Sequence, residues 1–140
     1  MIGALVAKRK VRSSYDLLNN RDIENFLKNW RDDAVFIYPG DISAAGEFKG
    51  KEAVAAWFNR LLDQFPTFYI TPQHVCIQNL LDLVGTNVVT VEWEEDNVNK
   101  EGRKVQLTGV TVIKLKFGKA THVRDYIFAT DEALKMAWNE

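Results

Sequence analysis

Residues 105–128 read VQLTGVTVIKLKFGKATHVRDYIF, and the fold follows from this stretch. Val105 to Phe117 is rich in threonine and valine, the composition of a half-buried strand. Gly118-Lys119 is turn chemistry, and Ala120 to Phe128 continues as a second strand. Two strands joined by so short a turn pair antiparallel. Upstream, Val89, Val91 and Trp93 alternate with Thr90, Glu92 and Glu94, which predicts a further strand. Asp96 to Gly102 reads as the polar hairpin loop between them. Phe68 to Leu81 reads as one more long strand, separated from Val89 by the turn residues Gly85-Thr86-Asn87. The second half of the chain is therefore a run of four strands with short connections.

The first half has a helical period. Val11, Tyr15 and Leu18 fall at i, i+4 and i+7, which predicts a helix from near Ala4 to Asn19-Asn20. Ile23, Phe26, Leu27 and Trp30 mark a second helix, with Asp22 as its N-cap and Asp32-Asp33 as its end. Ala34 to Tyr38 reads as a short strand stopped by Pro39-Gly40, and Asp41 to Gly50 as a loop. Val54, Trp57, Phe58, Leu61 and Phe65 mark a third helix that Pro66 terminates. Thr130 or Asp131 caps a last short helix carrying Leu134 and Trp138. Helices covering one face of a mainly antiparallel sheet make an α+β fold.

The 140 residues are the size of one domain, and no linker or repeat divides residues 1–140. Eighteen basic and 19 acidic residues leave a net charge of −1, which argues against a nucleic-acid partner. The single cysteine, Cys76, forms no internal disulfide and excludes a cysteine-rich zinc site. No apolar run approaches the roughly 18 residues of a membrane span, so no membrane partner is expected. Met1 to Ala7 is apolar, but the basic Lys8-Arg9-Lys10 follows it, the reverse of a signal peptide, so a cytoplasmic location is expected. The same basic residues with Arg12 read as a solvated helix end.

Four stretches carry a family resemblance. They are Tyr15-Asp16-Leu17-Leu18-Asn19-Asn20-Arg21-Asp22, Trp30-Arg31-Asp32-Asp33-Ala34-Val35-Phe36, Phe48-Lys49-Gly50-Lys51-Glu52-Ala53-Val54, and Gly118-Lys119-Ala120-Thr121-His122-Val123-Arg124-Asp125-Tyr126. Their order and spacing resemble the SnoaL-like polyketide cyclase family of the nuclear transport factor 2-like superfamily. The resemblance implies a conical, cystatin-like fold, in which a curved sheet wraps around N-terminal helices and leaves an apolar pocket at one end. The superfamily includes cyclases, isomerases, epoxide hydrolases, dehydratases and noncatalytic modules, so the site must decide the function.

Asp125 is the candidate catalytic residue. In the cyclase relatives an aspartate at the matching position serves as general acid/base in an aldol ring closure. Independently, a carboxylate on a central strand facing an apolar pocket is desolvated, and its pKa rises toward neutrality. Val123 and Ile127 share its face by alternation. The competing reading is an ion pair or hydrogen bond that holds the sheet. Tyr15, Tyr38, Trp57, Glu92, Thr111, Val123 and Ile127 are the candidate pocket-lining residues, with packing as the default for the aromatics. Glu92 and Glu94 lie two apart on one strand face; the reading favoured for them is the solvated end of a strand.

Other chemistries fit less well. The epoxide hydrolase pattern needs polar water-positioning residues near Val35 and Ile37, which are apolar. The ketosteroid isomerase pattern would place its base at Tyr38 and its tyrosine at Ser14. His74 and Cys76 share a strand face but lie too far apart for a nucleophilic dyad, and no third metal ligand is visible. They read as an edge histidine and a core cysteine.

Together these readings predict a cofactor-independent, metal-free enzyme acting on a small hydrophobic carbonyl compound by aldol cyclisation, isomerisation or dehydration. The alternative is a noncatalytic ligand-binding or interaction module of the same fold. A hydrogen-bonding partner on Asp125 favours the first and a lone carboxylate the second. A homodimer through the sheet is also expected, because Val110 and Val112 oppose Ile113 and Leu115 across it and helices cover only one face.

Overall fold

The computed structural model describes residues 2–140. Helix α1 (Ile2–Asn19) and α2 (Ile23–Leu27) lead into β1 (Trp30–Tyr38) and β2 (Gly46–Lys49). Helix α3 (Lys51–Gln64) follows, then β3 (Ile70–Ile77), β4 (Asn87–Val98), β5 (Lys104–Lys116), β6 (Lys119–Ile127) and α4 (Asp131–Ala137). The six strands form one sheet in the order β2-β1-β6-β5-β4-β3. All neighbours are antiparallel except β1 and β6, which run parallel. Register shifts within β1/β6, β3/β4 and β5/β6 mark the irregularities at which such a sheet bends.

The β5–β6 hairpin turns on Phe117 (φ 51°) and Gly118 (φ 76°), two successive left-handed residues. That geometry matches the twist of the flanking strands and is why a glycine stands there. Thr130 caps α4 through its hydroxyl, and Asp22 caps α2 through its carboxylate. Helix α2 has only five residues, too few to be stable alone. Its Phe26 ring meets Trp30 and Phe58 with centroids 5.7 and 4.8 Å away, so packing holds it. Phe36, Tyr38, Trp57 and Trp138 extend this aromatic cluster across the concave face. Arg21 ties α1–α2 to the end of α3 by donating to the carbonyls of Leu62, Phe65 and Pro66.

Several element boundaries differ from the sequence reading. The second helix ends at Leu27 and not at Asp32-Asp33, and Trp30 already belongs to β1. Trp30 fits a helical period, yet β6 offers it a ladder partner, with the Ala120 N–H donating to the Asn29 carbonyl at 2.8 Å. Residues 46–49, read as loop, form β2 against β1, with Phe48 opposite Phe36. Four residues are too few to show alternation. Strand β3 ends at Ile77, short of Leu81. Beyond it the Asp82 carboxylate accepts from the N–H groups of Val84, Gly85 and Thr86 and folds that segment into a loop. Cys76 is exposed, not core, because Val75 takes the inward position.

Candidate functional site

Alternation along β4 sends Val89, Val91, Trp93 and Glu95 to the concave face, and Glu92 and Glu94 to the other. On β5 the residue opposite Val91 is Thr111, and on β6 the residue opposite Thr111 is Asp125. The three strands therefore deliver an indole, a hydroxyl and a carboxylate to adjoining points. The Trp93 Nε1–H donates to Thr111 Oγ1 at 2.8 Å, and the Thr111 hydroxyl donates to Asp125 Oδ1 at 2.5 Å. With its lone pair engaged by the indole, the hydroxyl has its proton directed at the carboxylate.

These groups line a cavity of about 290 Å³ between sheet and helices. Trp30, Trp57, Phe36, Phe58 and Leu61 give it apolar walls, and Tyr15, Tyr38, Glu95 and Asp125 supply polar groups. Desolvation pushes the Asp125 carboxyl up to about 7, against the opposing pull of the Thr111 hydrogen bond. Desolvation first, and then charge on Asp125, push Glu95 up to about 8, while a 2.9 Å hydrogen bond from Asn97 Nδ2 works against them. Burial likewise raises the phenols of Tyr15 and Tyr38, which stay protonated, and the Tyr38 hydroxyl accepts from Trp138 Nε1–H at 3.4 Å. Two carboxyls near neutrality in one apolar chamber can hold and release a proton at physiological pH.

Of the residues expected in the pocket, Tyr15, Tyr38, Trp57, Thr111, Val123 and Asp125 line it. Glu92 does not: it stands on the outer face, exposed, with its carboxylate 2.9 Å from His74 Nδ1. Ile127 does not line it either; it is half-buried and packs against the core beyond Asp125. Glu95 was missed, hidden in a Glu-Glu-Asp run that reads as the approach to a hairpin loop. Extending the Val89–Val91–Trp93 alternation by one step would have found it. Among the described residues no three His, Cys, Asp or Glu side chains gather where they could hold a metal ion.

The family model described as SnoaL-like domain matches residues 11–123. This chain belongs to the SnoaL-like domain family. The match runs from α1 to the middle of β6 and so takes in the strands that build the cavity. Among solved structures, this SnoaL-like domain is similar to Bal32a from a soil-derived mobile gene cassette, at 21% identity and a TM-score of 0.85, covering 97% of this chain and 98% of that one. It is similar to Rv0760c of Mycobacterium tuberculosis, solved in complex with estradiol-17β-hemisuccinate, at 23% identity and a TM-score of 0.71, covering 89% and 92%. It is also similar to SalBIII, an epoxide hydrolase/cyclase-like enzyme with a role in pyran ring formation in the polyether salinomycin, at 19% identity and a TM-score of 0.73, covering 91% and 94%. At these identities the likeness is one of fold, the nuclear transport factor 2-like and cystatin-like fold that further neighbours share. No curated protein matches.

Proposed function

We propose that this SnoaL-like domain is a small-molecule enzyme that performs acid/base chemistry on a hydrophobic carbonyl compound in its cavity. The observation that carries this reading is the Asp125 carboxyl, raised to about 7 in an apolar chamber and hydrogen-bonded by Thr111. A carboxyl that only held the sheet together would need no cavity in front of it. The partnered Asp125, with Glu95 beside it, also favours catalysis over passive ligand binding.

In the mechanism, ionised Asp125 takes a proton from the carbon next to the substrate carbonyl. The C–H electron pair moves into the carbonyl group, and Glu95, the weaker acid, gives its proton to the oxygen as the enol forms. In every case the carbonyl re-forms as the enol oxygen returns its proton to Glu95. In an isomerisation Asp125 gives its own proton to a different carbon. In a dehydration it protonates the departing hydroxyl. In an aldol cyclisation the enol carbon attacks a second carbonyl of the same molecule, and Asp125 protonates the new alkoxide. The tyrosine hydroxyls orient polar groups, and the aromatic walls exclude water.

The test is turnover of a panel of hydrophobic ketones, diketones and β-hydroxyketones. Activity is expected for at least one of them, with kcat/KM rising as pH increases through about 7 and falling again as Glu95 ionises. No turnover, or turnover flat across that range, would discard the proposal.

We also infer a homodimer through the convex sheet face. Val35, Ile37, Val110 and Val112 are half-buried and alternate with the residues of the concave, cavity-lining face. Sedimentation at micromolar concentration should show a dimer, and Val112→Lys should shift it to monomer. A wild-type protein that sediments only as a monomer would refute this inference.

A further inference from the structure

Three segments meet at the open end of the cavity. Gly3 on α1 lies so close to the 79–86 loop that a Cβ there would sit 1.9 Å from the Asp82 carbonyl oxygen. The Gly118 N–H donates to the Gly85 carbonyl at 3.0 Å, and Lys10 Nζ donates to the Gly118 carbonyl at 2.9 Å. Gly3, Val6, Lys10, Leu83, Gly85 and Gly118 all line the cavity, so this junction is its mouth.

The mouth has an unusual surface. Leu5 and Val6 of α1 and Leu80, Leu81, Leu83 and Val84 of the loop are exposed, Leu83 by 90%. With Phe117 on the hairpin turn they are seven of the eleven large apolar side chains exposed among the described residues. The segments that meet there carry six cations, Lys8, Arg9, Lys10 and Arg12 on α1 and Lys116 and Lys119 beside the turn, with Lys10 on the Gly118 carbonyl and Lys116 over the Phe117 ring. The same segments (3–12, 79–86 and 116–119) hold one acid, Asp82, whose carboxylate is occupied by backbone N–H groups. These segments carry a net charge of +5, six cations less one acid, against −1 for the whole chain, so the rest of the chain carries −6.

Protruding apolar side chains on segments with a cationic surplus match the interface of an anionic bilayer, with acyl chains below and phosphate or carboxylate headgroups around them. A second copy docking through the same patch would set cations against cations. A concave partner pocket would have to accept a broad apolar surface contributed by three segments. We propose that the cavity mouth docks on anionic phospholipid surfaces, so that an apolar ligand passes from the acyl layer into the cavity without crossing water. This is contact with a surface, not a span: no described helix is long and apolar enough to cross a membrane. The docking departs from the expectation of no membrane partner, which rested on spanning segments alone. It also gives the basic cluster on α1 a role beyond solvation.

The experiment is co-sedimentation of the full chain with vesicles of phosphatidylcholine alone, and with vesicles in which about one-third is phosphatidylserine. Binding is expected to the anionic vesicles at low salt, weakly or not at all to the neutral ones, and less as salt rises. Lys116→Glu with Lys119→Glu should weaken binding about fivefold or more for each cation lost. Leu81→Glu with Val84→Glu should abolish it. All four positions are exposed, and circular dichroism should show both pairs folded as the wild type is. Failure to bind anionic vesicles, or binding that neither pair alters, would overturn the proposal. So would an oligomer that the Leu81→Glu, Val84→Glu pair dissociates, since that would place a second copy on the patch. Asp125→Asn should bind vesicles as the wild type does, which separates this result from the fate of the catalytic reading.

Discussion

Asp125→Asn is expected to lower kcat roughly 10²- to 10⁴-fold, the usual contribution of a positioned acid/base group, while making the protein more stable at alkaline pH. Both effects have one cause. Asparagine keeps the shape and still accepts the Thr111 hydrogen bond, but it has no proton to exchange. The stability change follows from linkage. In the unfolded chain Asp125 ionises near 3.8, and in the folded chain near 7. Between those values the folded state holds a proton that the unfolded state has released. Stability from this group is therefore complete below about pH 4, falls as pH rises toward 7, and is level above that. Glu95 extends the decline to about 8. Asparagine removes the Asp125 part of the decline. Each tenfold change in proton affinity is worth about 1.4 kcal/mol, and the carboxyl is only half-buried beside an open cavity. With that discount the variant should gain on the order of 2 kcal/mol above pH 7 and nothing near pH 4. Urea unfolding of both proteins across this range checks the sign. Two curves that run parallel from acid to alkali, or a variant with full activity, would contradict the role given to Asp125.

Gly109→Ala is expected to destabilise by about 2–3 kcal/mol, the cost of overpacking a site with no room to relax, and to lower activity as well. An added Cβ would stand 2.5 Å from the Tyr126 carbonyl oxygen and 2.6 and 2.7 Å from two ring carbons of Trp93. The carbonyl belongs to the β6 backbone, and the indole is buried to 1% exposure, so neither yields freely. The ring must tilt, and its N–H then leaves Thr111, whose hydroxyl holds Asp125. Thermal unfolding should drop by about 5–10 °C. Trp93→Phe serves as the control, because it removes the N–H and leaves an aromatic ring in place. It should reduce activity with a smaller loss of stability, about 1 kcal/mol. If Trp93→Phe is fully active, the indole is packing only.

The site was legible wherever periodicity and chemistry agreed. Asp125 shares a strand face with Val123 and Ile127 by alternation, and its chemistry marks it as the candidate; which face meets the cavity is decided by the structure, where Asp125 and Val123 line it. Glu95 could not be read so easily, because two solvated glutamates precede it and an aspartate follows. Composition there signals a loop, and only the length of β4 shows that the inner face continues. Glu92 failed as a pocket residue for the same reason, one step out of phase. Cys76 failed because alternation alone does not say which set of residues faces inward, and a slip of one position exchanges the faces.

The sequence by itself determined the class of fold, the order of most elements, the cap at Asp22, a last cap at Thr130 or Asp131, and the family. These rest on local chemistry: side-chain period, short polar caps, and residues that tolerate a turn. Tertiary structure alone decided that β1 joins β6 in parallel and that Trp30 begins a strand. It also set Trp93, Thr111 and Asp125 in one chain and gathered cations and leucines from three segments at the cavity mouth. Each of these depends on residues tens of positions apart meeting in space, and on burial that alters a carboxyl only once the walls around it exist.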